Sequence, residues 1–137
     1  MVGIVLVSHG DMSVGMLEAA RMIVGEQEGV ATVCLRESDA VEGLMERVDT
    51  AIREVDSGEG VLILVDVFGA SPFNAGARLA MQRDKTEVIS GVNLPMLLEL
   101  CMQRARQDLS QLVATARSAG TGGIRTLSET LKKAPPA

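Results

Sequence analysis

The chain has 137 residues, enough for one domain with a buried core, and a formal net charge of −5. An acidic chain with two aromatic residues lacks both the basic surface and the stacking platforms of nucleic-acid-binding proteins. Its apolar runs are far shorter than the roughly 20 residues that a membrane-spanning helix needs. One histidine and two distant cysteines, Cys34 and Cys101, exclude a zinc site built from these residue types and predict reduced thiols.

Strand-like apolar runs alternate with segments of helical period, a pattern typical of an α/β fold with a parallel sheet. Val2–Val7 is mostly apolar, and we expect a strand buried on both faces rather than a signal peptide, because no basic segment precedes it. The first half of the chain then predicts a helix at Ser13–Val24, with Ile23 on its buried side, and a strand at Val30–Leu35. A second helix is predicted at Val41–Val55, with Asp39 and Glu42 as its capping box.

The second half of the chain continues this alternation and ends in a polar segment. It predicts a strand at Val61–Val65, followed by a helix that begins with Ser71 as N-cap and Pro72 and ends at about Gln82. A strand at Thr86–Ser90 and a helix at Leu94–Gln103 come next. The last predicted helix begins at Asp108 and Gln111 and ends at Gly120. Gly122–Thr126 is predicted as a short fifth strand, so residues 1–126 form one domain. Residues 127–137 are predicted as a flexible tail or the start of a linker.

Two chemistry-bearing residues follow the first and third strands, at the ends where ligands bind in open parallel sheets. His9 comes after the first strand and Asp66 after the third. A strand order of 2-1-3-4 makes these strands neighbours and lets the imidazole contact the carboxylate. Asp66 would then accept a bond from Nδ1–H, leave the Nε2 lone pair free and stabilise positive charge on the ring during nucleophilic attack. Alone, each residue is also explained as a strand-end histidine or a capping carboxylate; their matching positions favour a site.

Gly10 and Ser71 would complete a phosphate-sized pocket around His9. Gly10 lets the backbone approach a ligand closely, and Ser71 lies at a predicted helix N-terminus, where free N–H groups favour an anion. A turn glycine and a simple N-cap are the alternative explanations. No glycine-rich stretch matches either common nucleotide-binding loop, so a nucleotide phosphate donor has no recognisable binding loop in this chain.

Four segments stand out as motifs: Ile4–Gly10 (IVLVSHG), Val61–Gly69 (VLILVDVFG), Gly69–Ala75 (GASPFNA) and Gly91–Leu97 (GVNLPML). In order and spacing they resemble the IIA component of the mannose family (mannose, fructose, sorbose) of the bacterial phosphoenolpyruvate:sugar phosphotransferase system. The resemblance extends to about residue 126. It implies a flavodoxin-like fold, with a mostly parallel sheet and helices on both faces, in a cytoplasmic protein.

The resemblance also implies roles for single residues. His9 would take a phosphoryl group on Nε2, and Asp66 would bond its Nδ1. The residues that match the family's active site around this pair are Ser8, Gly10, Phe68, Gly69 and Ser71. Phe68 stands where some members have tryptophan, a difference that concerns partner contacts rather than phosphoryl transfer.

Partners follow from the same resemblance. The phosphocarrier protein HPr would phosphorylate His9, and a IIB component would accept the group and phosphorylate a sugar taken up through membrane IIC and IID components. Donor and acceptor are both protein phosphohistidines, so no cofactor is implied. Family members are homodimers that exchange their last strand, and Gly122–Thr126 occupies its place here.

Two other functions stay open. The phosphotransferase subunit of dihydroxyacetone kinases has a related fold and a similar histidine, although its motif after the third strand differs. A regulatory IIA-type protein would signal through its phosphorylation state without transport. Histidine phosphatases and small metal chelatases also place a histidine after the first strand, but they need further histidines, which this chain lacks.

Overall fold

Parallel strands and helices alternate along the part of the chain that the computed structural model describes, residues 1–131. The strands are β1 (Gly3–His9), β2 (Val30–Leu35), β3 (Val61–Val65) and β4 (Thr86–Ile89); the helices are α1 (Met12–Val24), α2 (Val41–Val55), α3 (Ser71–Met81), α4 (Leu94–Gln103), α5 (Leu109–Gly122) and α6 (Leu127–Leu131). None of the helices in this range combines the length and the apolar character needed to cross a bilayer.

The four strands form one parallel sheet in the order β2-β1-β3-β4, as predicted. The chain moves from β1 outward to β2, then returns to the other side of β1 for β3 and β4. The strand order therefore reverses between β1 and β3, and such a reversal opens a crevice at the carboxyl ends of the two strands. In the register of the pair, Val7 lies opposite Val65, which brings the residues that follow each strand to the same edge.

Both faces of the sheet are covered, which explains the apolar runs of the central strands. Val5 and Val7 of β1 pack on one side against α2 and α3. Ile4 and Leu6 pack on the other side against α1, α4 and α5. β1 and β3 are therefore fixed from both faces, and the residues at their carboxyl ends extend from a rigid support.

Helix beginnings differ from the predictions where a polar side chain has another partner. Ala40, not Asp39, is the N-cap of α2, because the Asp39 carboxylate accepts bonds from the Arg36 amide and the Arg47 guanidinium. The predicted capping box of Asp39 and Glu42 is therefore wrong. The predicted start of a helix at Asp108 and Gln111 is confirmed, and the two residues form a capping box at the N-terminus of α5.

Two further predictions about helices are wrong. Ala70 is the N-cap of α3, so Ser71 is its first helical residue and caps nothing with its side chain. Ile23 is exposed rather than buried in α1, because Ala20 and the partly buried Met16 and Leu17 already fill the sheet-facing side of this helix.

The predicted fifth strand at Gly122–Thr126 is absent from residues 1–131. α5 continues past Gly120, which packs against Met96 and accepts a bond from the Asn93 amide, and ends at Gly122. Residues 124–126 lie outside any helix or strand, and Ile124, the only large apolar side chain among them, is 78% exposed. The segment predicted as a tail contains α6, while its residues 132–137 lie outside the described part of the chain.

Gly3 tests the packing of β1 against α2. A Cβ at Gly3 would clash with the Val55 carbonyl oxygen, so we expect Gly3→Ala to lower the free energy of unfolding by about 1–3 kcal/mol. Gly43→Ala is the matched control, because a Cβ there meets nothing within 4 Å and alanine favours helix. Urea denaturation compares the two, and equal stabilities would contradict the close approach of α2 to β1.

Candidate functional site

The ends of β1 and β3 bring His9 and Asp66 into direct contact, as their positions predict. The imidazole Nδ1 lies 2.7 Å from Asp66 Oδ2, and the His9 backbone N–H donates to the same oxygen at 2.8 Å. The other oxygen, Oδ1, accepts the Val67 backbone N–H at 2.9 Å. The carboxylate is therefore held by donors on both oxygens, and one of those donors is the ring that it orients.

The environment of Asp66 favours its ionised form. Burial opposes ionisation, since the side chain is only 7% exposed, but the bonds from the His9 backbone and ring and from the Val67 amide outweigh burial and lower the pKa of Asp66. An ionised carboxylate only accepts hydrogen bonds, so we assign the ring proton to Nδ1. Nε2 then carries the lone pair on a side chain that is 52% exposed.

This arrangement suits nucleophilic attack by Nε2. The side chain that carries Nε2 is half-exposed, its tautomer is fixed, and a buried negative charge beside the ring would stabilise the imidazolium that attack creates. No group of three or more histidine, cysteine, aspartate or glutamate side chains that could hold a metal ion occurs within residues 1–131.

Two glycines of the candidate site stand at turns that require them. Gly10 has φ +55°, and its N–H donates to the Leu35 carbonyl at 2.8 Å, which turns the chain from β1 into α1. Gly69 has φ +82°, and its carbonyl accepts a bond from the Asn74 amide, which closes the loop between Asp66 and α3. A positive φ strains any residue with a Cβ, so the glycines shape the loops on either side of His9.

The other predicted site residues differ in exposure. Phe68 is 73% exposed and rests on Phe73, with ring centroids 4.4 Å apart. Ser71 is half-buried at the first position of α3. Ser8 is fully buried below the turn, so its hydroxyl faces the protein interior rather than a ligand.

Sequence reasoning missed that the Ser8 hydroxyl accepts the backbone N–H of Ser13, a buried residue of α1. A signal was present, since Ser13 precedes Met16, Leu17 and Ala20 at helical spacing and so falls on the side of α1 that packs on the sheet.

Known proteins are similar to this chain in sequence and in fold. Residues 3–117 match the family described as PTS system fructose IIA component, EIIA-man. The chain is 39% identical over 140 residues to the PTS system mannose-specific EIIAB component of Escherichia coli K12, with 99% of the chain and 43% of that protein covered. It is 29% identical over 133 residues to the PTS system fructose-specific EIIA component of Bacillus subtilis, with 97% of the chain and 91% of that protein covered.

A solved structure agrees with these matches. Phosphotransferase system component EIIA from Streptococcus agalactiae superposes with a TM-score of 0.85 at 28% identity, covering 94% of this chain and 99% of that one. The chain thus spans less than half the length of the Escherichia coli relative and nearly all of the other two.

Asp66→Asn is expected to lower the free energy of unfolding at neutral pH by about 1–3 kcal/mol, because a charged acceptor of several hydrogen bonds is lost. The folded pKa of Asp66 lies below its unfolded value. The stabilisation is therefore complete above the ordinary aspartate pKa of about 3.9 and disappears as the pH falls through the folded pKa.

Urea denaturation at a series of pH values measures this loss, and the difference between wild type and variant should shrink in acid. Asp84→Asn, a change at an exposed aspartate, is the control and should follow the wild-type pH dependence. A difference that does not vary with pH would contradict the charged role of Asp66.

Proposed function

The chain belongs to the PTS fructose IIA component family, EIIA-man, and on that premise we propose that it carries phosphoryl groups on His9 between two partner proteins. HPr phosphorylates His9, and a IIB component receives the group for sugar uptake through membrane IIC and IID components. The observation that carries the proposal is the 2.7 Å contact between Nδ1 of a half-exposed histidine and a buried carboxylate. The family match confirms the resemblance of the four motifs and does not favour a dihydroxyacetone kinase subunit.

In the proposed step, the Nε2 lone pair attacks the phosphorus of the donor's phosphohistidine. A new N–P bond forms at His9 while the N–P bond of the donor breaks, and that electron pair returns to the donor's ring nitrogen. The His9 ring then carries a phosphoryl group on Nε2 and a proton on Nδ1. Asp66 stabilises the resulting positive charge without taking the proton. Transfer to IIB is the reverse step with a new acceptor, and both take place in the cytoplasm.

Asp66 acts on the phosphoryl group as well as on the ring. At about 6 Å and an effective dielectric constant near 20, each pair of like unit charges costs roughly 3 kcal/mol. α1 begins three residues after His9, and α3 begins five residues after Asp66. Their N-terminal dipoles offset part of this repulsion, on the order of 1 kcal/mol each. The balance keeps the phosphohistidine from becoming too stable, so the group can be passed on.

Exposed apolar side chains adjoin the site and provide a surface for the partner proteins. Met12 follows the His9 turn, and Val67 and Phe68 follow Asp66; all three are exposed. An apolar centre excludes water from the reacting groups when a partner docks. The net charge of −5 would speed association with partners whose docking faces are basic.

A second copy of the chain is a further proposed partner. β4 is an edge strand of the described sheet, and Phe73, Val88 and Ile124 line the groove beside it. Ile124 is exposed in the single chain, and a second copy would cover it. The exchange of residues after α5 between two copies stays a prediction. Light scattering should give the mass of two chains, and a stable mass of one chain would contradict the homodimer.

His9→Gln should abolish phosphorylation, because the chain has no other imidazole. Wild type and variant are incubated with phosphoenolpyruvate, enzyme I and HPr, and acid-labile phosphate is mapped by mass spectrometry. Wild type without HPr is the control for the donor. Phosphate elsewhere on the variant, formed at the wild-type rate, would overturn the proposal.

The same phosphorylation assay is applied to Asp66→Asn, which changes the carboxylate bonded to the His9 ring. The change keeps the shape of the side chain but removes the charge that holds the tautomer, so we expect phosphorylation at least about 100-fold slower. Binding of unphosphorylated HPr should stay unchanged, since Asp66 is buried. Phosphorylation of Asp66→Asn at the wild-type rate would show that Asp66 has a structural role only.

A further inference from the structure

A buried serine lies directly before the histidine, and its hydroxyl spans the turn that carries it. Ser8 is 1% exposed and Ser13 is 2% exposed. The Ser8 Oγ accepts the backbone N–H of Ser13 at 2.8 Å and donates to the Gly10 carbonyl at 3.3 Å. One hydroxyl therefore connects both arms of the segment in which His9 and Gly10 lie.

The Ser8 hydroxyl accepts a backbone N–H at the start of α1, where the side chain of the N-cap residue accepts none. Asp11 is the N-cap of α1, but its side chain makes no capping bond. Its carboxylate instead pairs with Arg36 at 2.6 Å. The amide of Ser13, the second residue of the helix, would lack an acceptor without Ser8, and a buried unpaired amide is unfavourable. The position of α1 relative to the end of β1 thus depends on Ser8.

The same hydroxyl completes the bonding of Gly10. The Gly10 N–H is held by the Leu35 carbonyl, and the Gly10 carbonyl by Ser8. Gly10 has positive φ and no side chain, so without these two bonds it would have wide conformational freedom. Asp66 holds the imidazole only on the Nδ1 side. The direction of Nε2 therefore depends on how firmly the chain is held where it leaves His9.

We propose that Ser8 is a positioning residue for phosphoryl transfer. Its hydroxyl fixes the turn from His9 to Ser13 and thereby aims Nε2 at the incoming phosphoryl group. The inference rests on the proposed function, in which His9 is the nucleophile, and adds a role that depends on a hydroxyl that touches neither ring nor phosphate.

Ser13 provides the matched control. Its own hydroxyl donates to the Val33 carbonyl at 3.4 Å and contacts the Cys34 sulfur at 3.3 Å, so it faces β2 rather than the His9 turn. Ser13→Ala removes a hydroxyl at the same depth but keeps the backbone N–H that bonds to Ser8. A merely structural role predicts equal effects of Ser8→Ala and Ser13→Ala, whereas the proposal predicts a difference.

Ser8→Thr and Ser8→Val form a second pair of the same shape, with and without the hydroxyl. A small void lies beside Ser8 and is lined in part by Leu6, Met16 and Leu64. This pair keeps the test decisive if Ser8→Ala does not fold, because both members add the same bulk and differ in the one group at issue.

Two measurements are made on each variant. The first is the rate of phosphorylation by phospho-HPr, for which we expect about a tenfold loss in Ser8→Ala and Ser8→Val, and rates within about twofold of wild type in Ser13→Ala and Ser8→Thr. The second is the nitrogen NMR spectrum of the His9 ring in the unphosphorylated protein. Wild type and Ser8→Thr should show the same ring nitrogen signals of one Nδ1–H tautomer, and the variants without the Ser8 hydroxyl should show shifted or broadened signals from a ring that is held less firmly.

The outcomes separate this inference from the proposed function. If wild type takes no phosphate from phospho-HPr, the proposed function fails, and the ring spectra alone decide whether Ser8 positions His9. Unchanged spectra in Ser8→Ala and Ser8→Val would overturn the role of Ser8. Equal losses of rate in Ser8→Ala and Ser13→Ala, or in Ser8→Thr and Ser8→Val, would overturn it as well.

Discussion

The contact between His9 and Asp66 depends on the register of two parallel strands. Val7 lies opposite Val65, so the chain delivers the imidazole and the carboxylate to the same edge within hydrogen-bond distance. A slip of two residues would separate them by about 6.6 Å, and a slip of one would turn the side chain of Asp66 to the other face of the sheet. Burial of both faces of β1 and β3 prevents either slip. The chemistry of the site thus follows from hydrophobic packing.

The two residues of the pair have opposite surroundings, and this asymmetry determines what the site can do. Asp66 is enclosed and its oxygens are occupied by donors, so it stays ionised and keeps one orientation. His9 is half-exposed and bonded on one nitrogen only. The carboxylate cannot compete as a nucleophile, while the imidazole presents a free lone pair to solvent. A carrier that gives and receives a group on the same atom needs this combination of a fixed partner and an accessible nucleophile.

The sequence predicts those elements whose positions depend on the apolar pattern. Its predictions are wrong where single polar contacts determine the local structure. β2 and β3 have the predicted bounds, because Val61–Val65 is a continuous apolar run and Val30–Leu35 is interrupted only by Thr32. The meeting of His9 with Asp66 follows from those runs and the strand order. The partners of Asp39 are not predictable from the sequence, because the first amides of α2, the Arg36 amide and the Arg47 guanidinium compete for one carboxylate. The loop geometry selects the Arg36 amide and Arg47. The sequence indicates a helix end at Gly120 and a fifth strand after it, whereas Gly120 is a packing position against Met96 within α5.

The amino ends of β1 and β2, opposite the edge that carries His9, are also held in place. Arg104 follows α4 and is fully buried, and its guanidinium donates to the carbonyls of Val2, Glu28 and Gly29. Val2 and Gly29 immediately precede β1 and β2. Burial lowers the pKa of Arg104, but an arginine stays protonated at neutral pH, so these carbonyls bind a permanent charge. At the carboxyl ends, the bond from Gly10 to Leu35 joins the same two strands. β1 is therefore tied to β2 at both ends, and the His9 side chain extends from this fixed strand.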